Sequence, residues 1–199
     1  MARVSREQAA LNKDAIAEAS ARLFREHGLN GVSVSELMGA VGLTHGGFYG
    51  HFGSKDELAG MACARAFEQR AKHWQSRLDE GVAGPALFAE MVTAYLSPRH
   101  RDNLGAGCTA VALAGDISRE GADKPVHEAF TGGIKRMAQT LQRLTGAQAS
   151  DAGRTQALAQ LATLVGAVTL ARATKGDPIS DDILAAALAT LTTTESSHG

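Results

Sequence analysis

Residues Val32 to His51 read VSVSELMGAVGLTHGGFYGH, and this stretch decides how the chain is organised. Ser33 followed three positions later by Glu36 is a capping box, in which the serine oxygen takes an amide at the helix start and the glutamate reaches back to the cap. A short helix is therefore expected to about Val41. Gly42-Leu43-Thr44 then turns the chain, and Gly42 stands where a residue tolerant of positive φ is needed. Thr44 is positioned to cap a second short helix through about Gly50. Leu37, Val41, Leu43 and Phe48 have the spacing to wedge the two helices together. Two short helices meeting at a glycine-containing turn make a helix-turn-helix arrangement. Its second helix would carry Thr44, His45, Gly46, Gly47 and Tyr49 on the outside, where they can enter a DNA major groove.

The flanks extend the helical reading in both directions. Upstream, Ser5 and Gln8 fit a capping box that opens a helix to about Glu26, with Ile16, Ala19, Leu23 and Phe24 as its apolar stripe and Gly28 as its end. Downstream, Gly53 breaks the chain and Ser54-Lys-Asp-Glu57 opens a long helix carrying Leu58, Met61, Ala62, Phe67 and Trp74, closed between Gly81 and Pro85. Five more helices follow. The first runs from Ala86 to Ser97, is closed by Pro98, and leads into a polar loop through Gly107. The second spans Cys108 to Arg119. A third is marked by Val126, Phe130, Ile134, Met137, Leu141 and Leu144, and a fourth by Leu158, Leu161, Leu164, Val165 and Val168. The last carries Ile183, Leu184, Ala187, Leu188 and Leu191, with a frayed tail from Thr192. No segment alternates as a strand would, so an all-α fold of about nine helices is expected. Residues 1–60 form a three-helix head, with 32–51 as its reading segment, and 61–199 form a helical bundle.

Composition narrows the function. In 199 residues there is no apolar run near the ~20 needed to cross a bilayer. Met1 to Asp14 is polar and lacks the apolar stretch of a secretory signal, so a cytoplasmic protein with no membrane partner is expected. Cys63 and Cys108 are too few for a zinc site or a disulfide framework. HExxH, CxxC, GxSxG and GxGxxG are absent, and Gly47 to Lys55 lacks the adjacent Gly-Lys of a phosphate-binding loop. His45 and His51 fall on different faces of a helix. No catalytic residue, metal or cofactor is therefore expected. Net charge is -1, and the first sixty residues hold six Lys/Arg against seven Asp/Glu. The basic footprint usual for a DNA binder is missing, so DNA binding has to be argued from geometry. The rival reading is a helical enzyme or carrier whose hairpin at 32–51 is ordinary bundle structure.

With its flanks, the reading segment resembles the TetR family of regulators. The matching residues begin with Ile16, Ala19, Leu23, Phe24 and Gly28 and continue through Ser33-Val34 and Gly42-Leu43-Thr44. They end with Phe48-Tyr49, His51-Phe52 and Ser54-Lys55-Asp56-Glu57-Leu58, so the resemblance covers about the first third of the chain. Thr44 and Tyr49 hydroxyls can bond phosphates and Lys55 can pair with one, while the helix start at Ser54 suits another. His45 can reach a base edge or a phosphate, and His51 completes the matched pattern. Gly46 and Gly47 permit close approach without reading bases. Arg3, Arg6 and Lys13 could add backbone contacts. Met38 departs from the alanine usual in the family, and Gly47 and Gly50 replace larger residues. The reading helix thus has no Arg or Lys, which shifts specificity toward flanking contacts or DNA shape.

The resemblance implies a homodimer whose two heads occupy successive major grooves of a palindromic double-stranded site, about 34–36 Å apart. It implies a repressor, released when a small molecule in the body shifts the long helix beginning at Ser54. The last two helices are rich in small and aliphatic residues, and Leu161, Val165, Val168, Leu184 and Leu188 could pair them with a partner's copies; the same stripes could equally pack within one chain. Phe67, Trp74, Phe88, Met91 and Tyr95 are candidate lining for an effector pocket, together with Leu113, Phe130 and Met137. Singly, each is also what a plain core would use. Cys108 follows Gly105-Ala106-Gly107 at a predicted helix start, with Arg99, His100 and Arg101 nearby. That setting favours a thiolate able to sense oxidants or electrophiles, or simply a small buried residue at a tight helix start.

Overall fold

The first wall of the head is α1 (Arg6–His27), where Ile16, Ala17, Ser20, Ala21 and Phe24 are buried at helical spacing. The computed structural model that shows this describes residues 6–81, 83–146 and 150–193, with the His73 side chain not included. Ser5 and Arg3, to which the sequence assigns a cap and a DNA contact, lie outside the described residues. Ala19 and Leu23 sit only half-buried at the edge of the stripe. Contacts from α2, α3 and α6 all reach α1, so burial extends round to Ala17 and Ala21. Gly28, at φ +78°, closes the helix with its amide on the Phe24 carbonyl at 2.9 Å.

Helix α2 (Val34–Gly39) starts from a complete capping box. The Glu36 amide donates to Ser33 Oγ at 3.2 Å, and the Ser33 amide donates to Glu36 Oε2 at 2.7 Å. Gly42 then takes φ +71°, the left-handed turn its position requires. The reading helix (His45–Gly50) is a 3₁₀-helix and not the expected α-helix, and Thr44 makes no side-chain capping bond. Three glycines in six residues weaken an α-helix, and runs this short take the tighter form. Ser54 caps the next helix, α3 (Lys55–Asp79), by accepting from the Glu57 amide at 3.0 Å. The Glu57 carboxylate takes the Gly53 amide at 2.8 Å, one residue before the cap, so only half of the expected box forms.

The body comprises α4 (Pro85–Tyr95), α5 (Pro98–Asp102), α6 (Thr109–Ile117), α7 (Pro125–Leu144), α8 (Asp151–Ala173) and α9 (Ile179–Thr193). No strand occurs among the described residues. Pro98 does more than close α4: its fixed φ and missing amide suit a first helical position, and it opens α5 where a loop was expected. The last helix continues through Thr193, past the Thr192 at which a tail was expected. Packing runs from α3 onto α7, from α7 onto α8 and from α8 onto α9. Because α3 is continuous across residue 60, the expected boundary between head and body falls inside one rigid helix. Where α3 crosses α7, Gly133 leaves room for the Phe67 ring, and a Cβ there would overlap it.

Met38 is fully buried beneath the reading helix, with its Cε 3.7 Å from where a Cβ on Gly47 would stand. The side chain of Met38 thus comes within ordinary packing distance of the reading helix at Gly47. Met38→Ala should lower stability by ~2–4 kcal/mol, because the cavity it leaves cannot collapse under a clamped turn. Urea unfolding checks this; a loss below ~1 kcal/mol would show that Met38 does not fill the space.

Candidate functional site

The reading helix is held from below by rings. Phe48 and Phe52 are buried and stacked at 5.7 Å between centroids, 28° between planes, above buried Leu37 and Met38. Tyr49 stands edge-on to Phe48 at 5.2 Å, yet remains 68% exposed. With one aromatic inward and the next outward, the turn is pinned while its outer face stays open. Thr44, His45, Gly46 and Ser54 are exposed, and Gly47, His51 and Lys55 are half-buried. All eight residues singled out from the sequence thus lie at or near one stretch of surface. Lys13 adds its ammonium 5.1 Å from the Phe52 ring centroid.

Charge arrangement answers the problem posed by the head's composition. Arg65 of α3 pairs with Asp14 and Glu18 at 3.1 and 3.4 Å, and Arg22 pairs with Glu26 at 2.9 Å. Glu57 faces Lys13 at 3.7 Å, and Asp56 faces Lys124 of the body at 3.5 Å. Hydrogen bonds from Ser33 hold the Glu36 carboxyl below its ordinary range. Lys55 forms no ion pair among the described residues. Six of the seven acids are locally engaged, while a lysine and the start of α3 remain available beside the exposed turn.

A cavity of about 80 Å³ lies in the body among α3, α4, α7, α8 and the start of α6. Phe67, Trp74, Met91, Tyr95, Cys108 and Met137 line it, as expected. Three other expected residues do not. Phe88 and Leu113 are packed in the core, and Phe130 sits edge-on to Phe67 at 5.7 Å. Arg70, Thr109, Arg136 and Thr140 line the cavity and were not singled out in the sequence. Their trace was present in helical spacing: Phe67, Arg70, Ala71 and Trp74 share one face of α3, and Gly133, Arg136, Met137 and Thr140 share one face of α7. A polar residue inside each apolar stripe was the readable signal.

His100, outside the cavity lining, holds two lining residues, Tyr95 and Cys108. Its Nε2 accepts the Cys108 amide at 3.1 Å, so the proton sits on Nδ1, which donates to the Tyr95 carbonyl at 2.6 Å. Burial, reinforced by Arg70 and Arg172, lowers the imidazole pKa from 6.5 to about 4, and His100 is neutral. Burial also raises the Tyr95 phenol well above its ordinary value, so its hydroxyl keeps its proton. The Cys63 thiol, buried in α3, is pushed up to about 12 and is inert. Cys108 is the cap residue of α6.

Three hydrogen bonds fasten the head to the segment around α6. Arg25 Nε donates to the Gly105 carbonyl at 2.6 Å, the Leu29 amide to Asp116 Oδ2 at 2.8 Å, and Asn30 Nδ2 to Glu120 Oε1 at 2.9 Å. One end of α6 therefore borders the cavity and the other grips the head. Of the expected pairing residues, Leu161, Val168 and Leu184 are buried within the protomer. Val165 and Leu188 are half-buried against the same core. Outward on α8 stand Leu158 and Leu170, the latter 56% exposed.

Comparison with known proteins agrees with this geometry. The family model described as bacterial regulatory proteins, tetR family, matches residues 16–60. An uncharacterized HTH-type transcriptional regulator in the lacX 3' region of Lactococcus lactis subsp. lactis is 28% identical over 141 residues, covering 67% of this chain and 70% of that protein. A TetR transcriptional regulator from Chloroflexus aurantiacus has a similar structure, with TM-score 0.74, 26% identity, and 96% and 97% of the two chains covered. Escherichia coli NemR in its reduced form shares the fold at TM-score 0.73 and 19% identity, over 92% and 95% of the chains.

The His100 arrangement predicts an acid-sensitive body. An unfolded histidine takes up a proton near pH 6.5, whereas the folded one resists until about pH 4. Its contribution is complete above the upper value and is lost as pH falls toward the lower one. Between pH 7 and pH 5 the wild type should lose about 2 kcal/mol more than His100→Gln in urea unfolding. Equal losses would place the titration elsewhere.

Proposed function

This chain belongs to the TetR family of transcriptional regulators, and from that premise we propose that it is a homodimeric repressor that leaves a palindromic DNA operator when a small molecule enters the cavity. The observation that carries the proposal is the reading helix itself: buried through Phe48, exposed through Tyr49, and mounted on the protein's surface. A hairpin belonging to an ordinary bundle would turn both rings inward.

On DNA, Thr44 and Tyr49 donate to phosphate oxygens, Lys55 pairs with a phosphate, and Ser54 presents the start of α3 to another. Gly46 and Gly47 bring the backbone close to the groove, while His45 and His51 flank it. With so few side chains able to read base edges, sequence preference rests partly on DNA shape. The dimer forms through α8 and α9, using the outward Leu158 and Leu170 with half-buried Val165 and Leu188. Binding to DNA inside the cell places the protein in the cytoplasm.

Release follows from the two routes joining body to head. The long helix α3 carries cavity residues Phe67 and Trp74 at one end and Lys55 at the other. The shorter α6 carries Thr109 at the cavity, and its far end holds Leu29 through Asp116. A ligand that displaces either helix changes the separation of the two heads. Coupling of ~1–3 kcal/mol is usual in such systems and would weaken DNA binding about 5–150-fold.

A narrower reading makes Cys108 a redox or electrophile sensor, favoured because its thiol lines the cavity, where a small reagent could reach it. Cys108→Ser should then abolish release by an oxidant such as diamide in a gel-shift assay; an undiminished response would return Cys108 to packing. For the head, Tyr49→Phe and Lys55→Ala should weaken binding to every DNA sequence, and Lys55→Ala should reduce the salt slope by about 1. Fluorescence anisotropy across a salt series measures both. Unchanged affinity in both variants, or no retention of any inverted repeat, would favour a helical enzyme or carrier instead.

A further inference from the structure

The cavity holds two under-satisfied hydroxyls. Thr109 is 1% exposed and its hydroxyl has no hydrogen-bond partner among the described residues, while that of Tyr95, 8% exposed, reaches only the Cys108 thiol, a weak partner. Both residues line the same space. A buried hydroxyl left unpaired is costly, so such groups are ordinarily matched by a partner. The raised pKa of Tyr95 keeps its proton in place to donate. The missing partner is an acceptor.

Charge further defines that acceptor. Arg70 and Arg136 line the cavity, no Asp or Glu does, and neither arginine forms an ion pair among the described residues. Arg172 adds a third guanidinium behind the inner wall, donating to the His100 and Arg101 carbonyls. His100 is neutral and its two nitrogens are already occupied. Both Arg70 and Arg136 are exposed, so they stand at the solvent-facing side of the cavity, where two guanidiniums with no carboxylate in the lining favour anions over cations. The remaining walls, including Phe67, Trp74, Met91 and Leu164, are apolar.

Size sets the last limit. A volume of about 80 Å³ is roughly half that of a cavity of about 150 Å³ known to take benzene, so the apolar part of the ligand is short, about three carbons. We infer that the cavity takes a small lipophilic monocarboxylate, with its oxygens on the Tyr95 and Thr109 hydroxyls, its charge answered by Arg70 and Arg136, and its tail against the aromatic wall. A neutral carbonyl compound would use the hydroxyls and leave the arginines idle; a carboxylate uses both. The inference rests on the proposed reading of this cavity as the effector site.

Titration calorimetry on the full-length protein with butanoate, butanamide and butan-1-ol tests it, since all three share one three-carbon tail. The acid should bind at least about tenfold tighter than either neutral analogue. Tyr95→Phe and, independently, Arg70→Gln should each shrink that advantage several-fold. An amide or alcohol that binds as tightly as the acid, an advantage untouched by both variants, or no binding of the acid would overturn the inference. Operator release by the same three compounds, followed by anisotropy, separates the two levels. If the acid binds and the operator stays bound, the ligand class stands and the effector reading falls. If only a neutral analogue releases DNA, the class falls and the effector reading stands.

Discussion

The structure depends on the wedge beneath the reading helix. A six-residue stretch with three glycines has little intrinsic tendency to hold a shape. It is fixed because Phe48 and Phe52 stack over Leu37 and Met38, and this buried contact supplies the order that the backbone lacks. The bare outer face follows from the same economy of side chains. Met38 is packed beneath Gly47, with its Cε 3.7 Å from where a Cβ there would stand, an ordinary contact distance.

From that wedge outward, the head is joined to the body more tightly than two tethered domains would be. Helix α3 runs unbroken between them, and Asp116, Glu120 and the Gly105 carbonyl take hydrogen bonds from Leu29, Asn30 and Arg25. The cavity touches both α3 and the start of α6. A head resting on these two supports is placed to follow a displacement of either helix, because packed helices shift as units.

What could be read from the sequence was what is decided locally. The Ser33–Glu36 capping box, the turn at Gly42 and the helical periodicity each depend on residues a few positions apart, and they appear as expected. The form of the reading helix does not, because tertiary clamping and glycine content set it together. The electrostatic balance of the head was also hidden, since Asp14 and Glu18 meet Arg65, and Asp56 meets Lys124, across long stretches of chain. Six of the fifteen residues that line the cavity were singled out for it in the sequence, whereas Arg70 and Arg136 could be found only through their place beside an apolar stripe. Periodicity alone could not say whether Leu161, Val168 and Leu184 face their own core or a partner, and they face their own.

The central claim is that two such surface-mounted turns are set to meet one face of duplex DNA together. Pulsed electron spin resonance between nitroxides attached at His45→Cys in each protomer tests it most directly, with Cys63→Ala and Cys108→Ala leaving one labelled thiol per chain. On an operator-bound sample the account predicts one narrow distance distribution of about 34–36 Å, the repeat of successive major grooves. No dipolar signal, or a distribution that DNA leaves unaltered and broad, would contradict it.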